Sequence, residues 1–108
     1  MAVAESIGGD TLTDGTEQTL ATITAAGTYV LVVDLGPMVN GDVVELRIKT
    51  KVRTGSTAYE AYYAVYAHAQ GNNRNKYSIP VPSPFSVAAT IKRAAGADHT
   101  YNWSIYAL

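Results

Sequence analysis

Val43–Arg53 reads V-V-E-L-R-I-K-T-K-V-R. Val44, Leu46, Ile48 and Val52 share one parity, with Thr50 between the last two, while Glu45, Arg47, Lys49, Lys51 and Arg53 share the other. Strand side chains alternate between two faces, so this run predicts a strand with one dry face and one charged, solvated face. It implies a β protein with a wet sheet face. It also gathers four of the eight basic residues, Arg47, Lys49, Lys51 and Arg53, into one stripe.

Similar patterns flank it. Glu17–Thr24 and Thr28–Leu35 are rich in Thr, Val, Ile and Leu, and the short link Ala25-Ala26-Gly27 predicts a hairpin between them. Gly36–Asp42 carries Gly36-Pro37 and Asn40-Gly41, strong turn pairs. Thr54–Thr57 predicts another turn. In Ala58–Ala69, Tyr59, Tyr62, Tyr63 and Tyr66 fall at helical spacing, and alanine favours a helix, whereas tyrosine favours a strand. With strands expected on both sides, the segment is assigned as a strand.

Gly71–Lys76 reads as an exposed loop. Tyr77–Pro84 must be extended, because three prolines fix φ and remove backbone donors, so it belongs to an edge or a connecting arm. Phe85–Lys92 and Tyr101–Leu108 alternate cleanly, placing Phe85, Val87, Ala89 and Ile91, then Tyr101, Trp103 and Ile105, on inward faces. Residues 1–15 are small, polar and glycine-bearing, and predict a flexible arm. The expectation is an all-β, single-domain β-sandwich over residues 16–108, jelly-roll-like, with six to eight antiparallel strands.

At 108 residues the chain suffices for one modest core. It has no cysteine, so neither disulfides nor thiolate metal sites are available. The first residues lack the basic and apolar regions of a signal peptide, and no run approaches a membrane span, so a soluble product is expected. Charge is lopsided. Residues 1–46 hold seven acidic residues and no Lys or Arg, whereas residues 47–108 hold eight cationic residues against Glu60 and Asp98. Either acidic and basic strands pair, or the halves favour docking on a charged partner.

Candidate chemistry is sparse. His68 and His99 are the only histidines, without metal-ligand spacing, and Asp98-His99 has no accompanying nucleophile motif. Glu60 lacks a second carboxylate for glycoside hydrolysis and is expected to pair with Arg47 or a lysine of the preceding strand. No catalytic residue, metal ligand or cofactor is assigned. The basic stripe is a candidate partner-binding surface or a solubility device. Direct nucleic-acid binding is not expected, because no aromatic residues are interleaved with the stripe. Eight tyrosines against one phenylalanine suit a wet interface, which makes Tyr59, Tyr62, Tyr63 and Tyr66 the candidate oligomer or ligand surface. Trp103 is expected in the core.

T-E-Q-T-L-A-T-I-T (Thr16–Thr24), G-D-V-V-E-L-R-I-K-T-K-V (Gly41–Val52), K-Y-S-I-P-V-P (Lys76–Pro82) and N-W-S-I-Y-A-L (Asn102–Leu108) carry a family resemblance. Together they resemble small all-β proteins encoded among the structural genes of tailed bacteriophages, some of which are jelly-roll-like capsid cement or decoration proteins. The resemblance implies a non-enzymatic virion protein that is made in the host cytoplasm, binds the major capsid protein as a homodimer or homotrimer, and reinforces the outer shell. No residue role is carried over. The alternative expectation is a carbohydrate- or receptor-binding module of a phage tail, with Tyr59, Tyr62, Tyr63, Tyr66 or Trp103 stacking on sugar.

Overall fold

A computed structural model describes residues 3–108. The strands are β1 (Ala4–Leu12), β2 (Gln18–Ile23), β3 (Gly27–Asp34), β4 (Val43–Thr50), β5 (Tyr59–Ala67), β6 (Asn75–Tyr77), β7 (Val81–Ser83), β8 (Val87–Ala95) and β9 (Thr100–Ala107). One sheet, here sheet A, has the order β1-β9-β3-β6, with β7 also on β3. Sheet B has the order β2-β8-β4-β5. Every pairing is antiparallel.

The pairings are nested. β4 pairs β5, β3 pairs β6 and β7, β2 pairs β8, and β1 pairs β9, as along one long hairpin. Rolling that hairpin lays β9 against β3 and β8 against β4, which closes the two sheets. This is the jelly-roll solution to burying two sheet faces. β6 and β7 together act as one broken strand. Pro80 separates them and Pro82 lies within β7, so the pair can occupy only an edge. Ser78 patches the break, its Oγ accepting from Leu31 N at 2.9 Å and its N–H donating to Leu31 O at 2.8 Å.

The core lies between the sheets. Leu31, Val33, Leu46, Ile48, Ala89, Ile91, Tyr101, Trp103 and Ile105 fill it, as strand parity predicts for β4, β8 and β9. Trp103 keeps its polar tip satisfied, its Nε1–H donating to Thr11 Oγ1 at 3.0 Å. Ala58–Ala69 contributes a strand, not a helix.

Four expectations are corrected. Ala4–Leu12, expected as part of a flexible arm, forms β1 and pairs with β9 from Ala4↔Ala107 to Leu12↔Thr100, because β9 offers an open backbone ladder; Met1 and Ala2 lie outside the described residues. Ala25-Ala26-Gly27 does not close a hairpin, since β2 and β3 belong to different sheets and the chain crosses from one to the other there. The alternation at Val43–Arg53 ends early. β4 stops at Thr50, whose hydroxyl turns inward to Ser83 Oγ and Ser86 O, and Val52 is 92% exposed in the following turn. The stretch read as a loop, Gly71–Lys76, contributes its last two residues to β6.

Candidate binding site

The basic stripe is divided by the structure. Arg47 and Lys49 stand on the outer face of sheet B, and Lys51 and Arg53 follow in the β4–β5 turn. Arg47 is 16% exposed and lies between two carboxylates, 2.7 Å from Glu45 and 2.7 Å from Glu60, with its guanidinium 4.6 Å from the Tyr63 ring centre. The two carboxylates hold its guanidinium more firmly protonated, against the effect of burial. Lys49 pairs with Glu17 at 2.7 Å, and that lysine is the main reason the Glu17 carboxyl is held below its ordinary range. Lys51 and Arg53 have no ion-pair partner among the described residues.

The tyrosines of β5 do not form one platform. Register pairs Tyr62 with Ile48 and Tyr66 with Val44, placing both on the core side, where they pack against the core partly buried. Burial pushes the Tyr62 hydroxyl up to about 12. A bulge at Ala61 shifts the register, so Tyr59 pairs with Thr50 at the exposed strand end, while Tyr63 pairs with Arg47 on the outer face. Tyr59, Tyr63 and Val65 are all exposed along β5, whose far side has no neighbouring strand.

Asp98 and His99 do not act together. Asp98 pairs with Arg93, and His99 reaches Asp42 instead, its Nε2–H donating to Oδ2 at 2.8 Å. The same carboxylate, 2% exposed as a residue, also accepts from Val39 N and Ala97 N, both at 2.9 Å. These backbone donors hold its pKa below the ordinary 3.8, with His99 adding to the effect. Gly96 makes the approach possible, with φ of +87° and an absent Cβ that would collide with Asp42. Asp42 thus ties the start of β4 in sheet B to the turn entering β9 in sheet A. It is a structural anchor invisible in sequence, since its partners lie 55 and 57 residues away. His68, at φ of 67°, accepts from Gly41 N on Nδ1, which fixes the Nε2–H tautomer.

The outer face of sheet A holds what the sequence does not announce. Register builds a grid from four strands. One row runs Asn75, Asp34, Asn102, Asp10; the next runs Tyr77, Val32, Ser104, Gly8; the third pairs Val30 with Tyr106 and Tyr106 with Glu5. Tyr77 and Tyr106 sit diagonally, with ring centres 6.2 Å apart and planes 56° apart. Between the rows lies a cleft of about 200 Å³, lined by Val32, Asp34, Asn75, Tyr77, Asn102, Ser104 and Tyr106. The buried Val32 lies at its base, and the exposed lining is mostly polar.

Asp34 is fixed at one wall. Arg74 donates to it twice, from Nε at 2.6 Å and from a terminal nitrogen at 2.9 Å, and Gly36 N donates at 2.9 Å. Those donors, Arg74 foremost, hold the carboxyl below its ordinary range. A Cβ at Gly36 would stand where the Arg74 guanidinium sits, so a side chain there would displace that arginine. Burial, helped by the neighbouring Tyr77 hydroxyl, raises the Tyr106 pKa. Among the described residues, the side-chain amides of Asn75 and Asn102 have no intramolecular hydrogen-bond partner. No three His, Cys, Asp or Glu side chains among the described residues converge as a metal site would require.

No protein-family model, curated protein or solved structure matches this chain.

Proposed function

We propose that this chain is a non-enzymatic structural protein of a virion, a capsid decoration protein that coats and stabilises the outer shell as a homo-oligomer. The resemblance to small all-β phage structural proteins motivates the reading, and one structural observation carries it, the contrast among sheet edges. β6 and β7 are short and proline-broken, β1 carries Glu5 and Asp10, and β2, the other edge of sheet B, is only six residues long, features that leave less room for strand addition. β5 is nine residues long, and its only charge, Glu60, is paired with Arg47, which it shares with Glu45. Tyr59, Tyr63 and Val65 lie exposed along it.

A second copy of the chain is the natural occupant of that edge. Two β5 strands related by a two-fold axis pair antiparallel and bring the same patch to both sides. Lys51 and Arg53, at the adjacent turn, then stand available to acidic groups on the major capsid protein. Many copies on a repeating shell convert weak single contacts into firm attachment.

The test is the abundance of the chain in purified phage particles by quantitative mass spectrometry, together with its mass in solution by light scattering. Copy numbers comparable to the major capsid protein, and a dimer that Val65→Lys converts to a folded monomer, are expected. Absence from particles overturns the virion role. A native monomer overturns the β5 interface.

A further inference from the structure

We propose that the cleft on the outer face of sheet A is a saccharide-binding site for a single neutral hexopyranose, such as the terminal residue of a glycan. The argument is independent of the virion reading and of the β5 edge.

The backbone groups of this face are engaged in ladders across β6, β3, β9 and β1, so a ligand seated there meets side chains. That removes strand addition by a peptide and leaves recognition to Asp34, Asn75, Tyr77, Asn102 and Tyr106, with Ser104 already donating to a Glu5 carboxylate oxygen at 3.1 Å. A pyranose offers an apolar C–H face and a rim of hydroxyls, each both donor and acceptor. The cleft offers the complement. Its lining is mostly polar, matching the hydroxyl rim, and the two tilted tyrosine rings at one end add a small apolar surface beside their polar tips. Each asparagine amide can donate and accept at once, which matches a pair of neighbouring hydroxyls. Asp34 is a pure acceptor whose orientation Arg74 fixes in advance, so little ordering remains to be done on binding.

Size and charge narrow the ligand. A volume of about 200 Å³ is below that of drug-sized pockets and suits one sugar ring. Arg74 is already spent on Asp34, and Glu5 and Asp10 stand at neighbouring grid positions. The site therefore disfavours sulfated, phosphorylated or carboxylated sugars relative to neutral ones. The two asparagine amides carry the inference furthest. They lie 27 positions apart in the chain, flank the same aspartate in adjacent strands, and are exposed without a hydrogen bond to another described residue.

The experiment is titration of the 15N-labelled full chain with methyl glucopyranoside, galactopyranoside and mannopyranoside, and with glucose 6-sulfate, followed by amide and asparagine side-chain shifts. At least one neutral pyranoside is expected to bind with a Kd on the order of millimolar, typical of a small ligand making few contacts. Its shifts should map to Asn75, Asn102, Ser104 and Tyr106. Asn102→Ala and Asn75→Ala, both at exposed positions, should each weaken binding about tenfold, the loss of one good hydrogen-bonded pair. Tyr63→Ala on the opposite sheet should leave binding unchanged. Absence of binding by all three neutral sugars overturns the proposal. So does tighter binding of the sulfated sugar, or a shift map centred on the β5 tyrosines.

Discussion

The two outer faces of this sandwich are built on opposite plans. Sheet B shows the charges that dominate the sequence, yet they are largely consumed there: Arg47 by Glu45 and Glu60, Lys49 by Glu17. Sheet A shows amides, tyrosines and a serine that look ordinary in the sequence, yet its two asparagines stand exposed without a partner among the described residues. Conspicuous charge marks a self-satisfied surface, and inconspicuous polarity marks the available one. Chemical reactivity of a surface depends on what remains unpaired, which only strand register reveals.

The contrast holds only while the sheets face apart, and Asp42 secures that arrangement. Asp42→Ala should cost about 2 kcal/mol in urea unfolding, because it removes a buried carboxylate that joins two part-buried backbone amides and an imidazole. Acid should act more broadly. Glu17, Asp34 and Asp42 all have depressed pKa values in the fold. The unfolded chain therefore takes up protons at a higher pH than the native one. Their contribution is complete above the ordinary carboxylate range and declines as pH falls through it toward the lower native values. Urea midpoints measured between pH 6 and pH 3 should fall steadily below about pH 4.5, the ordinary value for Glu17.

Substitutions confined to one face sharpen the comparison. Arg47→Met should lower stability by about 1–2 kcal/mol, since two carboxylates then confront each other without a cation. Asn102→Ala should change stability by less than about 0.5 kcal/mol, as expected for an exposed group without partners, while altering sugar binding. Lys49→Glu with Lys51→Glu should likewise leave the fold intact. Loss of one exposed pair costs under about 1 kcal/mol. Attachment to phage capsids, measured by co-sedimentation, should weaken if these cations meet an acidic shell surface. Unchanged attachment would assign the stripe to solubility alone.

The same divide explains what the sequence discloses. β4, β8 and β9 are legible because their apolar parity persists for whole strands, and the assignment of Ala58–Ala69 as a strand follows from its neighbours. β1 is not, because Gly8-Gly9 carries neither apolar pattern nor β propensity and its partner strand lies some 90 positions on. The link Ala25–Gly27 has hairpin chemistry, but the crossing between sheets is dictated by global wrapping. The cleft was illegible for the same reason. Asn75, Asp34 and Asn102 become neighbours only through register, and no local spacing announces that they share a row.

The nesting of the strand pairs also sets an order of events. β4 and β5 are joined by the loop of residues 51–58, in which Gly55 has a φ of +84°. Once that pair forms, the ends of β3 and of β6–β7 are already close, so closing the next pair costs little further chain entropy. The same holds for β2 with β8, then β1 with β9. The molecule should therefore zip outward from its middle, with the β1–β9 pair the last to form and the first to open. Amide exchange should be slowest in β4 and fastest in β1, and a chain released from the ribosome cannot complete sheet A until β9, which occupies its centre, has emerged.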